Sequence, residues 1–320
     1  MTTSLTPAAA ALRAVARWLG PPTEPRDARV TAGLLWYATL LVALRIGALA
    51  FGLLMTAIAV LGAWQAVVVR CRAHGAATPR AGSKSPAPLS EAHRLPACAL
   101  AGAVALAGVF NTRLAGAVIA AAVGISFVVV GALRPGSGPS GTSAPPSGAT
   151  PNVLARAGVL MRTWMHVGVA AACAAAVARY SLGSALVLVS AAAAYDAGAH
   201  ANAAPRVWGL RGPLAGVIAA AAAIFALTGL SVPPFAPDDA ARFVVVAALT
   251  LPLGPAIARP VTVAALRSPV GPADHAKAAP LADADRRWGH PLHTEWAVRR
   301  LDSLTLTALG WMWGLGIVTI

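Results

Sequence analysis

The sequence predicts an all-α integral membrane protein with about nine transmembrane helices, on three observations. Hydrophobic residues make up 58% of the 320 residues and charged residues only 11%, whereas a soluble domain carries about a quarter charged residues. Several apolar runs approach or exceed the roughly 20 residues that cross a bilayer as a helix. These runs are continuous and do not alternate with a period of two, which favours helices over a transmembrane barrel.

The basic charge of the chain points to membrane lipids as partners and not to nucleic acid. Net charge is +14, and the basic residues lie between the apolar runs, where cytoplasmic loops collect Lys and Arg and meet anionic headgroups. Aromatic residues do not interleave with these charges, as a platform for stacked bases would require. Cys71, Cys98 and Cys173 lack the paired spacing of a metal or disulfide framework.

The first part of the chain is predicted to be a cytoplasmic amphipathic N-terminus (residues 1–29), followed by an N-terminal transmembrane region (residues 30–133). Within the N-terminus, Ala8–Leu19 has an amphipathic pattern and is expected to lie on the membrane surface. The run Val30–Val69 is too long for one span, and a charge in mid-bilayer costs several kcal/mol. Arg45–Gly47 is therefore expected at a turn between two spans, with one continuous span as the alternative.

Residues 134–156 form a Gly/Pro/Ser-rich segment, which is predicted to be a flexible linker because it has too few apolar side chains to offset the entropy of ordering. A C-terminal transmembrane region follows at residues 157–320. Beyond the two spans predicted within Val30–Val69, the expected spans are Leu95–Phe110, Leu114–Leu133, Ala157–Ala178, Ser181–Ala194, Pro213–Ser231, Phe243–Ala258 and Leu304–Ile320.

The connecting segments alternate between strongly basic and weakly charged, which predicts their sides of the membrane. The basic, cytoplasmic set is the N-terminus, Arg70–Arg94, Arg134–Arg156, Arg206–Arg211 and Arg259–Arg300. The opposite set is Arg45–Gly47, Asn111–Arg113, Arg179–Tyr180 and Pro233–Asp239. We expect a multi-pass protein of the cell (plasma) membrane with its N-terminus in the cytoplasm and its C-terminus outside.

The richest candidate site is the stretch Ser190–Gly216, which joins two apolar runs and carries Tyr195, Asp196, His200, Asn202, Arg206, Trp208 and Arg211. Asp196 and His200 are spaced i,i+4 and share one face of a helix. With Tyr195 nearby, that face could hold a divalent cation or a metal-bound phosphate. The alternative is a solvated helix end, with Asp196 paired to an arginine.

Two further features suit an anionic ligand. Arg206 and Arg211 precede a predicted span that opens with Gly212-Pro213, and the free amides of a helix start attract phosphate. Arg300 stands beside Asp302 and Ser303 at the entrance to the last span. Each has a plainer reading, as ordinary cytoplasmic arginines and as a helix cap at Asp302. The histidines and acids upstream of the last span do not form a recognised zinc pattern.

Together these features resemble the phosphatidate cytidylyltransferase (CDP-diacylglycerol synthase) family, over residues 181–320. The end of the family signature, Arg-x-Asp-Ser-Leu, is kept here in 300–304, and Ala194, Tyr195 and Gly198 match an upstream segment. Trp208 and Gly212–Gly216 are similar to the turn that follows that segment. Two family aspartates are replaced, by Ala191 and Arg299.

The resemblance implies Mg²⁺-dependent joining of CTP to phosphatidate, with release of pyrophosphate, or a divergent member whose activity is altered or lost. In an active member, Asp196 and Asp302 are expected to be catalytic and to hold Mg²⁺, which neutralises phosphate charge. The expected substrate-binding residues are Tyr195, Arg206, Arg211, Arg300 and Ser303. The alternative is a non-catalytic membrane scaffold or a protein that binds anionic lipids. In either case the protein could form a homodimer, since the sequence does not determine the oligomeric state.

Overall fold

A computed structural model describes residues 26–75, 91–133, 153–201, 211–230, 233–235, 238–266 and 296–317. Within these ranges every regular element is a helix and there is no strand, which confirms the all-α fold class. The predicted amphipathic segment Ala8–Leu19 lies outside the described residues, as does most of the predicted linker.

The described residues form nine α-helices, with a short 3-10 helix, Glu91–His93, before the third. They are α1 (Arg26–Ile46), α2 (Ala48–Gly75), α3 (Arg94–Phe110), α4 (Thr112–Ala132), α5 (Val153–Tyr180), α6 (Leu182–Ala201), α7 (Arg211–Gly229), α8 (Asp239–Leu266) and α9 (Trp296–Gly314).

Five of these helices are long and apolar enough to cross a membrane, which indicates an integral membrane protein. The candidate spans are Ala48–Val68, Thr112–Ala132, Arg156–Tyr180, Leu182–Ala199 and Gly212–Gly229. Two shorter apolar stretches, Gly33–Ile46 and Arg94–Phe110, lie in α1 and α3. Helices α8 and α9 overlap the last two predicted spans, and their described residues belong to neither group.

Three pairs of consecutive helices are separated by a single residue, which lies within the turn that the sequence predicts or directly after it. The break residues are Gly47, Asn111 and Ser181. Each donates its backbone N–H to the carbonyl four residues before it and accepts from the N–H four residues after it. The Val30–Val69 region is therefore two helices and not one.

Each break has a local cause in its side chain or backbone. Gly47 has a φ of 140°, a conformation that residues with a Cβ rarely adopt. The side chain of Asn111 accepts a hydrogen bond from the Arg113 N–H at 2.8 Å, and the Ser181 hydroxyl accepts one from the Ser184 N–H at 3.2 Å. Both side chains cap the free amides at the start of the next helix.

Several helix ends differ from the apolar runs that predicted them. Helix α5 begins at Val153, inside the end of the predicted linker, α8 continues to Leu266, and α9 begins at Trp296. The residues added to α5 and α9 include arginine, which has a good intrinsic helix propensity, whereas those added to α8 also include Pro260, so propensity does not explain that extension. Hydrophobicity marks the part of a helix that lies in lipid, and the helix itself extends beyond it.

Helix α5 is the centre of the bundle and contacts α2, α3, α4, α6 and α9. Its segment from Ala170 to Ala178 is buried throughout. Small residues bring α3 and α5 together, because a Cβ on Gly108 would lie 2.5 Å from the Ala172 carbonyl oxygen and 2.6 Å from its Cα. Such close contacts supply packing energy that a bilayer, being as apolar as the side chains, does not otherwise provide.

Neighbouring helices run in opposite directions where their contacts define an order. In the pair α2 and α3, a Cβ on Gly52 would meet Val109, and Arg94 lies over the ring of Trp64 at 5.4 Å. In the pair α4 and α5, the Trp164 indole N–H donates to the Ser126 hydroxyl at 3.0 Å. Further along the same pair, the Arg156 guanidinium donates to the Leu133 carbonyl at 3.3 Å.

Contacts between the connecting segments bring the predicted non-cytoplasmic set to one end of the bundle. The Ser181 hydroxyl donates to the Pro233 carbonyl at 3.3 Å, which joins the α5–α6 break to the α7–α8 connection. The Gly52–Val109 and Gly108–Ala172 approaches place the breaks at Gly47 and Asn111 at that same end. The chain order of the helices thus agrees with the alternation deduced from charge.

The close contact between α3 and α5 predicts that two Gly→Ala substitutions will have different effects on the stability of the fold. Gly108→Ala forces backbone movement against Ala172, and overpacking of this kind costs about 1–3 kcal/mol. Gly116→Ala, on the exposed face of α4, has nothing within 4 Å of the new Cβ and gains up to about 1 kcal/mol in helix propensity. Thermal unfolding in detergent micelles should show a lower Tm for the first variant only. Equal Tm values would contradict the close α3–α5 packing.

Candidate functional site

Helices α6 and α7, on which the two ends of the polar stretch Ser190–Gly216 lie, make the most extensive helix contact among the described helices. A Cβ on Gly216 would lie 2.7 Å from the Cδ2 of Tyr195, and a Cβ on Gly198 would lie 2.7 Å from the Ala215 carbonyl oxygen. The Tyr195 side chain is buried. The two glycines therefore let the helix backbones approach, and the Tyr195 ring packs against α7 at Gly216.

Asp196, next to Tyr195, reaches away from α7 to the last helix. The Ser303 hydroxyl donates to Oδ2 of Asp196 at 3.4 Å, across 107 residues of sequence. Ser303 is almost completely buried, at 1% exposed, and Asp196 is half-buried. The two separate stretches that the sequence identifies as candidate sites are thus in contact through one residue of each.

The position of Ser303 also corrects the reading of Asp302 as a helix cap. Helix α9 begins at Trp296, so Asp302 and Ser303 lie in its second turn, where the backbone amides are already hydrogen-bonded within the helix. The Ser303 carbonyl accepts from the Thr307 hydroxyl at 2.8 Å. Capping does not account for this pair, because a cap must precede the first turn.

A second hydrogen bond joins the start of the same stretch to α1. The Tyr37 hydroxyl and the Ser190 hydroxyl are 2.7 Å apart, in a part-buried contact between α1 and α6. Sequence reasoning did not identify Tyr37. The only signal was a lone tyrosine in an apolar run, whose hydroxyl needs a partner when it is buried.

The remaining predicted residues are only partly covered by the structure. Arg206 lies outside the described residues, and so do the side chains of His200, Arg211, Arg300 and Asp302. Their backbones place His200 in the last turn of α6 and Arg211 at the first residue of α7, with Pro213 in the first turn as predicted. Arg300 and Asp302 flank Leu301 in α9, within one turn of Ser303.

Among the side chains that the structure describes, no group of three or more His, Cys, Asp or Glu residues could hold a metal ion. The donors at the α6–α9 contact are one carboxylate, of Asp196, and one hydroxyl, of Ser303. Mg²⁺ is often bound through only one or two carboxylates, with substrate phosphates and water as its other ligands. Asp196 and Ser303 alone are therefore too few ligands to hold such an ion without substrate or water.

These features define a polytopic helical membrane protein with a carboxylate–hydroxyl contact between α6 and α9. No protein-family model matches the chain, and neither a curated protein nor a solved structure does.

A double-mutant cycle tests the α6–α9 contact. Asp196→Ala and Ser303→Ala should be coupled in unfolding free energy by about 1 kcal/mol, because a single hydrogen bond contributes about that much. Thr228 provides a matched control, since its hydroxyl donates within α7 to the Ile224 carbonyl. Asp196→Ala and Thr228→Ala should be additive. A coupling energy of zero for the first pair, measured by denaturation in micelles, would refute the contact.

Proposed function

We propose that the chain is a divergent nucleotidyltransferase of the phosphatidate cytidylyltransferase type, with a ligand site between α6 and α9. The observation that carries the proposal is the hydrogen bond between Ser303 and Asp196. It supports the proposal because these residues come from the two stretches that carry the family resemblance, which are far apart in the chain. Contact between them is what a shared site requires.

The proposed reaction joins the phosphate of phosphatidate to the α-phosphorus of CTP. One P–O bond forms to the lipid phosphate, and the bond to the β-phosphate breaks, so that pyrophosphate leaves. A bound Mg²⁺ would neutralise phosphate charge in this step. Asp196 and Asp302 are the proposed carboxylates for it, and both belong to helices that meet at the site.

The proposed role of the protein's basic residues is to position the phosphates. Arg300 lies one helical turn before Leu304, and Arg211 opens α7 beside the Tyr195–Gly216 contact. Guanidinium groups bind phosphate oxygens in pairs with fixed geometry. With Arg206 they would hold the triphosphate, while Ser303 would position the attacking lipid phosphate next to the Mg²⁺ held by Asp196 and Asp302.

We further propose nine spans in the plasma membrane, with a cytoplasmic N-terminus and the site at the cytoplasmic end. The nine described helices support the number, and five of them are long and apolar enough to be candidate spans. The concentration of basic residues in alternate connecting segments supports the orientation, since basic segments stay in the cytoplasm. CTP would then reach the site from the compartment that contains nucleotides.

The second candidate is a non-catalytic protein that binds anionic lipids through its basic cytoplasmic segments. This candidate is favoured by the small number of side chains at the site that could bind a metal ion, because Ala191 and Arg299 stand in place of two family aspartates. Its expected behaviour is retention by anionic liposomes that weakens as salt rises and does not respond to CTP.

Nucleotide binding separates the two candidates. Calorimetric titration of the purified protein with CTP and Mg²⁺ should show binding, and Asp196→Asn or Asp302→Asn should weaken it about tenfold or more, as expected for loss of a metal contact. Asp239→Asn, at the opposite end of the bundle, is the control and should bind normally. No binding by the wild type at millimolar CTP would refute the nucleotidyltransferase proposal. Unchanged turnover in either aspartate variant would remove that residue from the mechanism.

A further inference from the structure

The three single-residue breaks share a feature that the α6–α9 site does not use. Each has an arginine within two residues of the break residue, namely Arg45 before Gly47, Arg113 after Asn111 and Arg179 before Ser181. All three arginine side chains are exposed. We refer to Arg45, Arg113 and Arg179 as the arginine belt.

The belt lies at one end of the bundle, away from the α6–α9 site. The contacts from Gly52 to Val109 and from Gly108 to Ala172 bring the three breaks to the same end. Helix α6 begins directly after the break at Ser181, and Asp196 lies about 21 Å further along it at 1.5 Å per residue. The belt is therefore a separate surface from the proposed nucleotide site.

The depth of the belt in the membrane follows from the shortness of the breaks. Candidate spans begin at Ala48, Thr112 and Leu182, the residues directly after the three breaks. A single residue cannot carry the chain out into water and back. The arginines must therefore lie at the boundary between acyl chains and headgroups, where long basic side chains place their charge among the phosphates.

Exposed apolar side chains beside the belt support the same depth. Ile46 is 73% exposed, Leu114 46% and Tyr180 56%. These residues are sequence neighbours of Arg45, Arg113 and Arg179 respectively. Large apolar groups this exposed belong in lipid, and a tyrosine at the boundary is typical of a membrane interface. Each arginine is thus flanked by a group that faces acyl chains.

The three belt arginines carry positive charge at this end of the bundle. Among the described residues, no ion pair involves Arg45, Arg113 or Arg179. The described acids at this end of the bundle are Asp238 and Asp239, both at the start of α8, and Asp239 has an interaction of its own. Three guanidinium groups at headgroup depth match the charge of lipids with a net negative headgroup.

We propose that the arginine belt binds anionic phospholipids in the leaflet at this end of the bundle. Each guanidinium donates to the phosphodiester oxygens of one lipid, while the flanking apolar residue packs against its acyl chains. A basic residue close to an anionic headgroup favours binding about fivefold. The proposal does not depend on the nucleotidyltransferase assignment, since it uses none of the same residues.

Photo-crosslinking with defined lipids tests the belt. The full-length protein is reconstituted in phosphatidylcholine bilayers that contain a photoactivatable analogue of either phosphatidylglycerol or phosphatidylcholine, and labelled peptides are mapped by mass spectrometry. Peptides that contain the three breaks should be labelled about fivefold more by phosphatidylglycerol. Ile218, 70% exposed on α7, is an internal control that both lipids should label equally. Equal labelling of the breaks in the wild type would overturn the proposal.

Two triple variants separate charge from structure. Arg45→Gln/Arg113→Gln/Arg179→Gln should lose the preference for phosphatidylglycerol at the breaks, whereas the corresponding Arg→Lys triple should keep most of it. Arg162→Gln removes one exposed arginine of α5 outside the belt and should leave labelling of the breaks unchanged. Retention of the preference by the Gln triple would also overturn the proposal. If the Gln triple variant fails to insert into the bilayer, the proposal is decided by the ratio of phosphatidylglycerol to phosphatidylcholine labelling in the wild type and in the Lys triple variant.

Discussion

The structure depends on close approach of helix backbones at glycine and alanine positions. In a bilayer, lipid is as apolar as the side chains, so helices associate through packing and polar contacts and not through burial from water. The Gly108–Ala172 approach seats α3 on the central helix α5, and Tyr195 against Gly216 seats α6 on α7. Both contacts leave no room for a Cβ. The site and the bundle are thus built by the same kind of interaction.

The α6–α7 contact also determines how the candidate site is arranged. Tyr195 lies against α7, which turns the following residue, Asp196, toward α9 and the Ser303 hydroxyl. Tyr195, Gly198 and Gly216 matched a family pattern in the sequence, and in the structure they have a direct packing role. Their identity therefore does not by itself require catalysis. Packing does not account for Asp196 in the same way, because a half-buried carboxylate costs solvation energy and needs polar partners.

Local sequence signals predicted the helices well and their ends poorly. The breaks at Gly47 and Asn111 were predicted as turns, and the break at Ser181 to within one residue, because an arginine lies two residues from each within a long apolar stretch. The starts of α5 and α9 were not, because helix propensity continues through arginine after hydrophobicity has stopped. The same gap produced the wrong reading of Asp302 as a cap. For the site, spacing singled out Asp196 and Ser303 but could not identify Tyr37, whose partner Ser190 is 153 residues away.

By itself, the sequence determined the class of protein and the number of helices among the described residues, and it predicts the side on which each connection lies. Those properties follow from hydrophobicity and charge, which act along the chain and do not depend on which helices are neighbours. Only the tertiary structure decided that α5 is central, that Asp196 meets Ser303, and that three arginines share one end. Which helices pack against each other depends on the fit between their surfaces. The positions of small residues along the sequence do not specify which surfaces meet.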